Sequence, residues 1–156
     1  MIMDERTEFC DATSVAAAAG TALVGDVIDL GAVARDIGNG QPIYLVITTA
    51  TEIITGGSAG TVKFQLVSDS TANLATSTTV HIDTGTFVTD DSAANSAQLN
   101  AGGVIFCGPL PLQGNVYEQY LGILCITATT TTTAGAINAF LTLDPRGWAA
   151  YAEGAN

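Results

Sequence analysis

The only histidine, His81, stands in the run Thr79-Val80-His81-Ile82-Asp83, two residues from a carboxylate. On extended backbone, residues two apart share a face, so His81 and Asp83 have the spacing of a base and the acid that orients it. Such a pair is half of an apparatus for proton abstraction or for activating a hydroxyl nucleophile. Nothing in the sequence marks the other half, and no Gly-x-Ser-x-Gly elbow occurs. The commoner fate of the pair is a solvent-facing strand position, and no catalytic residue is assigned. Asp69, Asp83, Asp90 and Asp91 lie in or beside turn-forming sequence, with "TDDS" at 89–92 the densest stretch. However, no Asp-x-Asp-x-Asp-Gly loop, Cys-x-x-Cys pair or His-Glu-x-x-His helix is present, so no metal and no cofactor is expected. "GGSAGT" at 56–61 leads into strand-like rather than helix-like sequence, which makes it a loop tip and not a phosphate cradle. Cys10, Cys107 and Cys125 are odd in number and widely spaced, as reduced packing thiols are.

Any such residues must be positioned by strands. Short β-branched runs bounded by Gly, Asn, Asp and Pro predict strands at 26–31, 42–51, 61–68, 78–83, 86–89, 103–108, 118–128 and 136–143. In "TVKFQLV", Val62, Phe64 and Leu66 share one face while Lys63 and Gln65 share the other, so that strand covers a core on one side. The Thr run at 129–133 and Gly135 predict a hairpin between the last two strands. The Ala-rich stretches at 13–20 and 91–99 are short and carry Ser, Thr or Asn, which compete with helix. About eight short strands with turns between them predict an all-β fold, a jelly-roll-like antiparallel β-sandwich. One domain is expected over 1–156, with an N-terminal arm at 1–20, the sandwich at 21–143 and a C-terminal arm at 144–156.

Only 12% of the 156 residues are charged, and the formal net charge is -11. That balance argues against phosphate backbones and anionic lipid, so neither nucleic acid nor membrane is an expected partner. No apolar run approaches the roughly 20 residues that span a bilayer. The remaining surface of Thr, Ser, Ala and Gly loses little when covered by a partner. Both ends carry anchor-type side chains: Ile2, Met3 and Phe9 at the start, and Arg146, Trp148 and Tyr151 at the end. Arg35 and Asp36 form a charged pair in the apolar segment 26–51.

Asp11-Ala12, then "DVIDLG" at 26–31, "ARDIGNGQPIYLVI" at 34–47 and "AINAFLTLD" at 136–144 resemble, in order and spacing, the phage capsid cement (decoration) protein family typified by the cement protein of a Bordetella phage. The resemblance implies a jelly-roll protein on the capsid exterior of the virion, made in the host bacterial cytoplasm. It implies binding to the major capsid protein so as to bridge neighbouring subunits. It also implies self-association as a dimer, with a trimer as the alternative. The expected partner-binding residues are Ile2, Met3, Phe9, Arg35, Asp36, Arg146, Trp148 and Tyr151. The rival reading is a carbohydrate- or host-receptor-binding jelly-roll module of a phage particle, which calls for aromatics on an open face. Most of the nine Phe and Tyr side chains sit in apolar runs instead.

Overall fold

The structure is a computed structural model and describes residues 5–32, 37, 40–56, 60–75, 77–89, 96–112 and 114–145. Nine strands follow one another: β1 (Glu8–Ser14), β2 (Gly20–Asp29), β3 (Tyr44–Thr55), β4 (Gly60–Asp69), β5 (Thr79–Asp83), β6 (Phe87–Thr89), β7 (Val104–Pro109), β8 (Tyr120–Ala128) and β9 (Thr132–Thr142). The helical elements among the described residues are two 3-10 turns, Glu5–Thr7 and Ala97–Leu99. One sheet has the order β1-β9-β3-β7 and the other β2-β8-β4-β5, with β6 also on β4. All pairings are antiparallel.

Counted as one interrupted strand, β5 and β6 fill the fourth place of the second sheet. The chain then alternates between sheets at every connection except β4 to β5, which is the topology of a jelly roll. The alternation driving burial is plainest in the first half of β4, where Val62, Phe64 and Leu66 are fully enclosed and Lys63 and Gln65 half-exposed. These side chains meet Leu45, Ile47, Ile53, Leu121, Ile123 and Ile137 in one core between the sheets. Beyond Leu66 the alternation fails, because Val67 packs on the outer face against Leu74 and Leu124. The segment 70–78 therefore gives β4 a second, smaller core, and the strand is not one-sided over its whole length.

Two expectations change. Residues 8–14, expected within an arm, form β1 on the edge of the first sheet, where Phe9 is 1% exposed and part of the core. Its register shifts at Glu8/Cys10 and Cys10/Thr13, and Ala12 has φ 44°, so the strand has none of the regular alternation that would have marked it. The Thr run is not a hairpin either. β8 pairs with β2 and β4 while β9 pairs with β1 and β3, so residues 129–131 carry the chain from one sheet to the other. Thr129, at φ 74°, takes the left-handed conformation of that corner. Gly135 lies inside β9, where an added Cβ would come within 2.7 Å of Ile53.

The topology also sorts the connections. At one end of the sandwich β1 connects to β2, β3 to β4, β6 to β7 and β8 to β9. At the opposite end β2 connects to β3, β4 to β5 and β7 to β8, and β1 begins and β9 ends there.

Candidate functional site

The structure separates His81 from Asp83. Gln65 pairs with Asp83 and Leu66 with Ile82, but Val67 pairs with Val80, so His81 is the extra residue of a bulge. Its Nε2 lies 2.7 Å from Ser68 Oγ, and its ring stacks on Tyr117 at 3.9 Å with a 14° tilt. Asp83 turns to β4, accepting hydrogen bonds from Gln65 Nε2 at 2.6 Å and Lys63 Nζ at 3.0 Å, and from the Gly85 N–H at 2.8 Å. Those three donors hold its carboxyl down at about 2.

A serine bonded to a histidine has the form of an activated nucleophile. Here Ser68 is 0% exposed, and its Oγ already accepts the Glu118 N–H at 3.1 Å. No substrate carbonyl can approach it, so the pair is a packing arrangement. Burial holds the His81 pKa below its ordinary value, with Glu118 opposing weakly. Asp69 is likewise consumed by structure: its carboxylate is 0% exposed and accepts from the backbone N–H groups of Thr71 and Ser77, both at 3.1 Å. It thereby folds the segment 70–78 onto β4. Asp90 and Asp91 lie outside the described residues. Among the described residues no three His, Cys, Asp or Glu side chains gather as metal ligands. The Cys10 and Cys125 thiols are raised to about 12 and about 11 by burial, as unreactive packing groups are. Cys107, in contrast, is exposed on the edge strand β7.

The features suited to contact gather at the end where β1 begins and β9 ends. Of the seven large apolar side chains that the described residues expose, Leu112 (65%), Val116 (67%), Leu143 and Val80 are at or next to this end. Its segments are tied together by backbone and side chain. Leu30 N–H donates to Gln119 O at 2.7 Å and Leu110 N–H to Ile43 O at 2.8 Å. Thr79 Oγ1 donates to Glu118 Oε1 at 3.0 Å, and Tyr117 OH to Pro111 O at 3.1 Å. The segment 110–119 is thus braced from both sides and still presents Leu112 and Val116 outward.

Of the partner-binding residues expected from sequence, Phe9 is a core residue, because the β1 bulge turns it between the sheets. Ile2, Met3, Arg35, Asp36, Arg146, Trp148 and Tyr151 lie outside the described residues. In sequence, Ile2 and Met3 precede β1, Arg35 and Asp36 stand between β2 and β3, and Arg146, Trp148 and Tyr151 follow β9. Sequence reasoning missed Leu112 and Val116. Their signal was two large apolar residues in the Pro-, Gly- and Asn-containing stretch "PLPLQGNV" at 109–116, where a plain connection would be polar.

A protein-family model, Bbp16, matches residues 9–141. No curated protein matches the sequence.

Proposed function

The chain belongs to the Bbp16 family, the Bordetella phage capsid cement proteins, and is a phage capsid-associated protein; from this we infer that it cements the outer capsid surface through the end of the sandwich at which β1 begins and β9 ends. One observation carries the choice of that end. Leu112, Val116, Leu143 and Val80 are exposed at or next to the end where β1 begins, β9 ends and β2 connects to β3. A cement protein must touch more than one capsid subunit. A jelly roll with exposed apolar side chains gathered toward one end suits such contacts. Engagement of several subunits at once raises the effective concentration of each contact, so weak individual contacts suffice. The net charge of -11 favours the outer face, since packaged nucleic acid repels such a protein from the inner one. In this reading Ile2, Met3, Arg35, Asp36, Arg146, Trp148 and Tyr151 contact the major capsid protein, and the protein acts as a dimer.

Truncation tests the role of the extensions. A chain ending at Pro145 is expected to keep its unfolding midpoint and to bind capsids lacking the protein at least roughly tenfold more weakly than the full chain, as loss of one of several linked contacts demands. Undiminished binding of the truncated chain in cosedimentation would remove the C-terminal segment from the proposed contact.

A further inference from the structure

The contact segment 110–119 is held against the sandwich by a chain of groups centred on the only titratable imidazole in the protein. Thr79 on β5 reaches Glu118, the Glu118 N–H reaches Ser68 on β4, and Ser68 reaches His81 on β5. The His81 ring lies flat on Tyr117, whose hydroxyl returns to Pro111 of the same segment. We propose that Ser68, His81 and Tyr117 form an acid-sensitive brace, so that protonation of His81 loosens the segment carrying Leu112 and Val116 and weakens attachment at that end. This rests on the capsid-binding reading above and adds a means of regulating it.

The chemistry follows from counting donors. Ser68 Oγ accepts the Glu118 N–H, and every donor is satisfied when the hydroxyl gives its own proton to an unprotonated His81 Nε2. A protonated ring turns Nε2 into a second donor toward the same oxygen. The Ser68 proton then loses its acceptor at a residue that is 0% exposed, and an unpaired buried donor is costly. The titratable groups around the ring are Glu118 and Tyr117 on the braced segment, Asp69 beside Ser68 on β4, and Asp83 on β5. Glu118 favours the charged ring, but desolvation outweighs it, and the His81 pKa is lowered from 6.5. Asp83 is committed to Lys63, Gln65 and Gly85, and burial raises the Tyr117 hydroxyl to about 12, so neither titrates with the ring. Because the folded pKa is lowered, the brace is intact above the unfolded value of 6.5. Below that value it is weakened progressively, down to the folded pKa.

The bulge explains why the device is present at this position alone. Regular alternation would have left His81 beside Asp83 in water, whereas the extra residue turns it onto Ser68.

The test uses the full chain. His81 is the only histidine, so its ring proton resonances report its titration directly. The expected midpoint lies below the ordinary histidine value. Over the same range, amides of residues 114–118 are expected to lose protection from hydrogen exchange, after correction for intrinsic rates, while β3 and β9 keep theirs. Opening of the brace should become up to about tenfold more favourable for each unit separating the folded and unfolded midpoints, and capsid binding should weaken over the same pH range. A His81→Gln chain, which cannot titrate, should show neither change. An ordinary midpoint, or an equal acid response in His81→Gln, would overturn the proposal. Should His81→Gln fail to fold, the wild-type titration compared with Tyr117→Phe, which keeps the stacked ring, decides the matter. Failure to bind capsids at neutral pH would count against the capsid reading alone, because resonance and exchange are read on the free protein.

Discussion

Replacing Gly25 by valine is expected to remove most of the folding stability. Gly25 has φ 68°, a left-handed conformation that costs a side-chain-bearing residue about 1–2 kcal/mol. Space is the harder constraint. A Cβ at this position would stand 2.1 Å from the Phe9 carbonyl oxygen and 2.6 Å from Cys10 Cβ. Neither neighbour is the free end of a long side chain that could swing away. Relief requires β2 and β1 to move apart, and these two edge strands close one seam of the sandwich. The register of β2 on β8 already breaks between Val24 and Ile28, which lets residues 25–27 lean across that seam. Forced overpacking adds about 1–3 kcal/mol before the branches of valine are placed. Against a total stability of about 5–15 kcal/mol, the variant should show a collapsed denaturant midpoint or fail to accumulate as folded protein. A change under about 1 kcal/mol in equilibrium unfolding would show that the β1–β2 seam is looser than described.

The double change Leu112→Asp and Val116→Asp is expected to do the opposite, leaving the fold alone and removing the partner. Both side chains are about two-thirds exposed and neither belongs to a core cluster, so the stability change should stay within about 0.5 kcal/mol. At the centre of an interface, truncation of a well-packed anchor costs about 2 kcal/mol or more, and a buried unpaired carboxylate costs further. Two such changes weaken each contact by at least about a hundredfold, and simultaneous contacts compound the loss. Thermal unfolding and capsid cosedimentation on the same preparation separate the outcomes. Unchanged melting with binding near wild type would exclude Leu112 and Val116 from the contact.

How far the fold was legible depended on how regularly each strand buries its side chains. β3, β4, β8 and β9 are central strands with long β-branched and apolar runs, and their positions read directly. β2 was legible only from Asp26 onward, because Thr21, Ala22 and Leu23 near its start are all exposed and show no burial alternation. β1 was hidden by its two register shifts, so "EFCDATS" looked like an extension when it is a sheet edge. Sheet membership of β8 and β9 was not encoded locally either: a Thr run turns equally well within a sheet or between sheets, and only the burial of both faces of the core decides. The His81–Asp83 reading failed for a related reason. Period-2 geometry placed the two on one face, but a single extra residue in the ladder redirected the imidazole to Ser68.

The contact end was half legible. Anchor-type residues near both ends of the sequence suggested arms, and Arg35 and Asp36 a charged connection between two strands. That β1 begins, β9 ends and β2 connects to β3 at one end follows only from the jelly-roll connectivity, which the sequence does not display. Exposure at Leu112 and Val116 was equally hidden, since the preceding Leu110 in the same stretch is 3% exposed and packs in the core.

The central claim, that this jelly roll coats the capsid as a cement protein, is tested most directly by cosedimenting purified protein with capsids that lack it and measuring the bound ratio to the major capsid protein at saturation. The cement account predicts saturable binding of on the order of one copy per capsid subunit, as linked contacts across a repeating shell require. Saturation at a few copies per particle would contradict it in favour of a receptor-binding role at a vertex or tail, and no binding would contradict any role on the capsid surface.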